Sequence, residues 1–326
     1  MSARTEPHIS SPIADGAGRV LALTGATGFL GGRIASLACA NGWRVRTLQR
    51  RPDVALDGVW EVVPGDLADG RALKRLVDGA DVVIHNAGLV RARSPAAFMA
   101  ANAVGTNAVA RTVLAAGAPP FLLVSSLAAS RPTVSPYAAS KAVAEAGVRR
   151  ILADHALAII RPPAIYGPAD GATKPMFQAM LKGFAPMPGP ADARLAMIYV
   201  DDAASAVLAA LDVASIAHPL FEMDDGAGGY NWSEICAAAE AAAGRRLRPI
   251  RLPMSLIRLV GALGDVGAGM SNSLGFQPLF LTSGKVAEMR AGDWIADLAL
   301  SLPQWRAEVS LEAGFRRTLA WYREAG

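Results

Sequence analysis

The sequence predicts an α/β fold, a doubly wound parallel sheet with a smaller C-terminal α/β lobe. Three observations predict it. Short apolar runs alternate with helical stretches from residue 19 to 165, the pattern of βαβ units with right-handed crossovers. A glycine-spaced turn, Gly25, Gly28 and Gly31, separates the first apolar run from the first helical stretch. Beyond residue 166 the alternation weakens, and Gly- and Pro-rich stretches at 167–175, 183–190 and 226–229 divide short helical pieces.

Taken in order, residues 1–18 are polar, contain Pro7 and Pro12, and lack the apolar stretch of a signal peptide, so a flexible tail is expected. Residues 19–24, bounded by Gly18 and Gly25, read as a buried parallel strand. A helix over 29–41 stops at Asn41-Gly42. Strands are expected at 44–49, 60–63 and 82–85, and the Ala-rich stretch 96–117 reads as one helix. Residues 121–125 form a strand, 135–155 a long helix starting near Pro136, and 157–161 a strand stopped by Pro162-Pro163. The expected division is a tail (1–18), a core domain (19–165) and a second lobe (166–326) partly interleaved with it.

Composition narrows the function classes. Of 326 residues, 52% are hydrophobic and 18% charged, which excludes a largely disordered chain. Cys39 and Cys236 cannot build a disulfide framework, and His8, His85, His155 and His218 lie too far apart for a zinc pattern, so no metal is expected. The net charge of +4 is scattered, its tightest clusters being Arg44 with Arg46, Arg50-Arg51 and Arg245 to Arg248. That argues against a nucleic-acid partner, which requires a basic stripe. The most apolar stretch, 254–281, is interrupted by Arg258 and Asp265, so no integral membrane segment is expected. It reads as lid packing, with membrane-surface contact as the alternative. A cytoplasmic location follows by default.

The glycine-spaced turn carries the first chemistry. In Thr24-Gly25-Ala26-Thr27-Gly28-Phe29-Leu30-Gly31, glycines let the backbone approach a pyrophosphate while the following helix offers N–H groups and a positive dipole end. The core domain is therefore expected to bind a dinucleotide in Rossmann fashion. The acid that grips the ribose 2′-OH of NAD belongs about 20 residues further on. Gln49-Arg50-Arg51 stands there instead, with no carboxylate before Asp53. Arginine suits a 2′-phosphate, so NADP is preferred over NAD, with Arg33 as a second cation. The competing reading makes Arg50 and Arg51 solvated loop charges.

Tyr137 and Lys141 stand at i, i+4 on one helix face, and Ser126 precedes them at the end of the fifth strand, where open α/β sheets bind ligands. A neighbouring ammonium favours phenolate, so Lys141, together with the cofactor's nicotinamide charge and partial burial, is expected to lower the Tyr137 pKa. Ser126 would hold a substrate oxygen while Tyr137 moves its proton.

These residues resemble the extended short-chain dehydrogenase/reductase superfamily of NAD-dependent epimerase/dehydratase-like enzymes. The resemblance rests on Thr24–Gly31, Gly65-Asp66-Leu67, His85-Asn86-Ala87-Gly88, and Asn102 with Gly105-Thr106-Asn107. It continues through Ser125-Ser126, Tyr137 to Lys141, Arg161-Pro162-Pro163, Tyr166-Gly167-Pro168 and Tyr199-Val200-Asp201-Asp202. It ends with Ser310 to Gly314, Thr318 and Trp321-Tyr322, and so spans nearly the whole chain. It implies that Asp66 contacts adenine beside Leu67, that Ala87 lines the cofactor, and that Pro163 borders the nicotinamide. It also implies Ser126, Tyr137 and Lys141 as the catalytic set, with Asn102 in the place of the family's structural asparagine. A second lobe supplying the substrate pocket, and a homodimer through two core helices, are further implications.

Several residues keep a purely structural alternative. Asp66 reads equally as a turn residue, Asn102 as a backbone bridge, His85 as a strand-end residue and Asp201-Asp202 as helix caps. Departures from the family pattern also count. Leu127 to Arg131 replaces the V-Y-G that many sugar-nucleotide enzymes carry after the Ser pair, and the dehydratase Asp-Glu pair is absent. Arg194 and Arg290 are the candidates for holding a substrate diphosphate. The expectation is an NAD(P)-dependent reductase or dehydrogenase of a small-molecule carbonyl or alcohol. The alternatives are a nucleotide-sugar epimerase with internal redox and a non-catalytic NADP(H)-binding assembly protein.

Overall fold

The computed structural model describes residues 16–188, 190, 192–214, 217–252 and 282–324. The apolar segment expected to act as a lid, and the tail before residue 16, lie outside the described residues. Residues 16–18 are not free. The Gly16 and Gly18 amides donate to the Asn41 and Gly42 carbonyls at 2.9 and 3.0 Å.

The first half runs β1 (Val20–Thr24), α1 (Phe29–Ala40), β2 (Arg44–Gln49), β3 (Glu61–Pro64), α2 (Gly70–Val77) and β4 (Val82–His85). It continues with α3 (Pro95–Phe98), α4 (Gly105–Ala115), β5 (Phe121–Val124), α5 (Pro136–Ile151), β6 (Leu157–Arg161) and β7 (Ala164–Tyr166). The second half comprises α6 (Lys174–Leu181), β8 (Phe184–Pro188), β9 (Met197–Tyr199), α7 (Val200–Ala209), β10 (Leu220–Glu222) and α8 (Trp232–Ala243). It closes with β11 (Arg248–Leu252), α9 (Ser283–Arg290) and α10 (Leu311–Glu324).

Among the described residues, seven strands form one sheet in the order β10-β6-β5-β4-β1-β2-β3, with every pairing parallel. Strand order reverses between β1 and β4, the switch point at which open α/β sheets bind ligands beyond their carboxyl ends. The strands bury both faces. On β5, Leu122 and Val124 join the core on one side, while Phe121 and Leu123 join the core on the other. This two-residue alternation explains why the strands read as continuous apolar runs.

The chain returns to the sheet after entering the second lobe. β10 pairs with β6 at the sheet edge. α7 is tied to α1 by Arg33, whose guanidinium donates to both Asp201 oxygens at 2.5 and 3.0 Å. Asp201 and Asp202 therefore do not cap α7, whose N-cap is Tyr199. Asp202 instead accepts from the Glu308 and Val309 amides. The second lobe adds two short parallel pairs, β8 with β11 and β7 with β9. Its aromatic cluster places Phe315 against Tyr166 and Phe177, with ring centroids 5.2 and 5.1 Å apart.

Two expected elements differ. The stretch read as one helix over 96–117 is broken by a π-helical turn, Met99–Val104, between α3 and α4. Widened turns of this kind re-aim side chains at functional sites, and this one turns Asn102 inward. Trp60 stays outside β3, its ring covered by the Arg44 guanidinium 3.8 Å from the centroid.

Candidate active site

A cleft of about 1780 Å³ opens beyond the carboxyl ends of β1, β4 and β5. One wall is the loop between β1 and α1. Gly25 has φ +75°, and a Cβ there would come within 2.7 Å of the Ala87 amide nitrogen. A Cβ on Gly31 would meet the Gly25 carbonyl oxygen at 2.0 Å. Both positions therefore require glycine. α1 starts at Gly28 with no side-chain cap and no acid in its first turn. Its first amides and positive end are thus left for an anion, so the loop fits a dinucleotide pyrophosphate.

A hydrogen-bonded chain fixes this wall from behind. The Ala87 amide donates to Thr24 Oγ1, which lies 2.7 Å from His85 Nδ1. On the other side, His85 Nε2 lies 2.8 Å from Thr106 Oγ1, which donates to the Asn102 carbonyl. Since the Thr106 proton is used there, His85 must donate through Nε2 and accept through Nδ1. Burial, aided by the Lys141 charge, holds this imidazole neutral with a pKa of about 3. His85 is thus a structural link between the glycine turn and α4, and no acid or base.

The catalytic candidates come from β5 and α5. Ser126 follows β5 and caps the short helical turn after it, accepting from the Ala128 amide at 3.2 Å. Ser135 caps α5 by accepting from the Ala138 amide at 3.0 Å, with Pro136 pre-set for the first turn. That start presents Tyr137 to the cleft, where the nearby Ser126 hydroxyl favours its anion. The Phe98 ring covers the tyrosine, centroid to centroid 5.9 Å.

The protonation of Tyr137 and Lys141 is governed first by burial. Lys141 turns its ammonium to the Val124 carbonyl at 2.9 Å, and burial lowers its pKa to about 8 against the pull of Glu145. Tyr137 is pushed up to about 12, first by burial and then by the Glu288 charge, with Ser126 opposing. Held neutral in this way, Tyr137 is a proton donor.

Behind Ser126, Ser125 donates to Glu145 at 2.5 Å, and Arg161 bridges Glu145 and Glu222 at 2.7 and 3.0 Å. This buried network joins β6, α5 and β10 beneath the site. Asn102 holds the adjacent loop through two bonds, accepting from the Leu89 amide and donating to the Leu89 carbonyl. It also donates to Ser140 at 2.9 Å. Asn102 is thus a backbone bridge and does not line the cleft.

Most expected residues converge. Thr24, Gly25, Thr27, Gly28, Phe29 and Leu30 line the cleft on one side. Arg50, Asp66, Leu67 and Ala87 continue that wall, and Ser126, Tyr137, Lys141 and Pro163 form its floor. Asp66 also closes its own turn by accepting from the Ala68 amide. Gly31 sits beneath the loop as a packing position. Arg51 does not line the cleft, and Arg33 is committed to Asp201.

The two substrate candidates separate. Arg194 reaches the cleft, but its guanidinium donates to the Gly228 and Gly229 carbonyls and lies 3.7 Å from Glu234. Arg290 is exposed at the end of α9 and does not line the cleft, because that helix turns Lys285, Glu288 and Met289 inward instead. Glu288 and Ser135 were missed from sequence. Ser135-Pro136 carried a readable cap signal, but nothing local marks Glu288, which lies 153 positions from its partner Ser135.

The sequence profile of the NAD dependent epimerase/dehydratase family matches residues 21–219. A ceramide reductase of Caulobacter vibrioides is 41% identical over 311 residues, covering 94% of this chain and 95% of that protein. A 2-alkyl-3-oxoalkanoate reductase of Stenotrophomonas maltophilia is 30% identical over 210 residues, 56% of this chain and 62% of that protein. Among solved structures, MoeE5 in complex with UDP-glucose and NAD superposes with a TM-score of 0.71 at 18% identity, covering 94% and 99% of the two chains. UDP-glucose 4-epimerase of Thermotoga maritima gives 0.69 at 18% identity, with the same coverage. At these identities the structural likeness speaks for the fold. The chain belongs to the NAD dependent epimerase/dehydratase family and is an NAD(P)-dependent enzyme of the short-chain dehydrogenase/reductase type.

Proposed function

We propose that this enzyme is an NADPH-dependent reductase of a ceramide-like lipid ketone. The observation that carries the reading is the cleft itself. Its wall from the second lobe is mainly apolar, with Met176, Leu195, Met197, Trp232, Met289 and Trp294 beside Lys285 and Glu288, and it borders the same cleft as Ser126 and Tyr137. Such a wall suits an alkyl chain whose carbonyl reaches the floor. The kinship with a ceramide reductase over nearly the full length supports the same reading. The epimerase alternative needs a cation for diphosphate, yet Arg194 is tied to two carbonyls and Arg290 faces away.

Under this reading the loop Thr24–Leu30 holds the pyrophosphate, Asp66 and Leu67 border adenine, and Arg50 meets a 2′-phosphate. Ala87 and Pro163 flank the nicotinamide, and Lys141 holds its ribose. Bound NADPH supplies the hydride that reaches the carbonyl carbon. Ser126 orients the carbonyl oxygen, and Tyr137 gives its proton to that oxygen as negative charge develops. Lys141, one helical turn away with its pKa lowered to about 8, is the nearest source for reprotonating Tyr137.

The test follows NADPH absorbance at 340 nm with ketones of increasing alkyl length, including a keto-ceramide, beside Tyr137→Phe. Chain-length-dependent, Tyr137-dependent oxidation of NADPH is expected. Bound NADPH that is never consumed, together with interconversion of nucleotide sugars, overturns the reading.

A further inference from the structure

Between the second lobe and the catalytic helix lies a buried carboxylate that the reaction above does not use. Glu288, 7% exposed, projects from α9 into the joint with the start of α5. One carboxylate oxygen accepts from Ser135 Oγ at 2.7 Å and the other from Lys285 Nζ at 2.9 Å. Its carbonyl accepts from the Trp294 indole at 2.7 Å. Arg131 clamps the same corner, stacking over Trp294 and donating to the Ala291 carbonyl. The joint is close. A Cβ on Gly284 would lie 3.6 Å from Pro136 Cδ.

Ser135 also caps α5, so one hydroxyl serves two roles. It accepts from the helix amide of Ala138 and donates to Glu288. The second lobe is thus bonded to the first turn of the helix that carries Tyr137. We propose that Glu288 is a positioning residue of the reaction: through Ser135 it latches the second lobe onto the cap of α5, and it brings a negative charge toward the turn that carries Tyr137. The proposal rests on Tyr137 acting as the acid.

The surroundings of the tyrosine agree with that role. The groups facing it are Ser126 beyond β5, Lys141 on its own helix, the uncharged Phe98 ring on α3, and Glu288 with Lys285 on α9. The Lys141 ammonium is drawn to Val124, and Lys285 is paired with Glu288. Burial is the first cause that holds the phenol neutral, Ser126 opposes it, and the Glu288 carboxylate adds to burial. Glu288→Gln retains an acceptor for Ser135 and removes the charge together with the acceptor for Lys285, an ion pair on a half-exposed lysine that is worth little to stability. Ser135→Ala removes the cap and the latch together.

The experiment places 13Cζ-labelled tyrosine in wild type, Glu288→Gln and Ser135→Ala, with Tyr137→Phe to assign the signal. Titration between pH 8 and 12 needs no turnover, so it is independent of whether the ketone reading stands. In Glu288→Gln the Tyr137 signal is expected to begin ionising at lower pH than in wild type, by roughly half a unit or more. Its thermal midpoint should stay within about 2 °C of wild type, since the bond to Ser135 is kept. Ser135→Ala should lower that midpoint by about 2–4 °C through loss of the cap. An unchanged Tyr137 titration in a folded Glu288→Gln protein overturns the proposal. So does a Glu288→Gln protein as unstable as Ser135→Ala, which would leave Glu288 a merely structural latch.

Discussion

The two walls of the cleft are built on different principles. The wall between β1 and α1 is made of backbone: glycines at close approach, an uncapped helix start, and a neutral histidine that pins the turn from behind. The opposite wall is made of side chains from α6, β8, β9, α8 and α9, segments that meet only in the folded chain. Backbone geometry can serve the same cofactor on many relatives, whereas side-chain walls change one residue at a time. The contrast explains why one fold houses reductases and epimerases alike. Tyr137 stands where the walls meet.

The largest effect tests that meeting point. Tyr137→Phe should lower kcat by about 10²–10⁴-fold with NADPH binding retained, because a positioned acid is worth that much. Comparable turnover in the 340 nm assay would move the chemistry to another group.

The next effect probes the backbone wall through pH. His85 has a pKa of about 3 in the fold against 6.5 in the unfolded chain. Between those values the unfolded chain binds the extra proton, so stability rises with pH across the window and falls on acidification. One such group gives about 1.4 kcal/mol per pH unit. Asp202, raised to about 6 by burial, acts with the opposite sign between its ordinary value and 6. His85→Asn should therefore be less stable at pH 7, yet lose less than wild type between pH 6 and pH 4 in urea unfolding. Parallel curves for the two proteins would remove His85 from that role.

A smaller effect tests the cofactor preference. Arg50 borders the cleft and Arg51 does not. Losing one charged hydrogen bond, worth about 1.5–3 kcal/mol, should raise the KM for NADPH about 10–100-fold in Arg50→Ala and leave NADH unaffected. Arg51→Ala should match wild type. Equal losses for both cofactors would assign Arg50 to the turn alone. The smallest effect concerns the side-chain wall: Arg290→Ala should change no substrate KM by more than about twofold, as an exposed residue outside the cleft. A large rise would bring the end of α9 into the substrate site.

Legibility followed the same contrast. The glycine turn, Ser126, Tyr137 and Lys141 were readable because local backbone demands and helical spacing write themselves into neighbouring residues. The height of the tyrosine pKa was not, because burial leads it and a carboxylate from α9 adds to it. Arg33 could not be told from a cofactor ligand until Asp201, 168 positions away, came against it. The π-helical turn that aims Asn102 has no distinct propensity signal in an Ala-rich stretch, since one extra residue per turn leaves the composition unchanged.

The edge strand β10 has a consequence for synthesis. Until residue 222 has left the ribosome, β6 offers an open, apolar, parallel edge, and Arg161 waits without Glu222. The nascent first half is thus exposed to pairing with a neighbouring chain for the whole time the intervening lobe is being made.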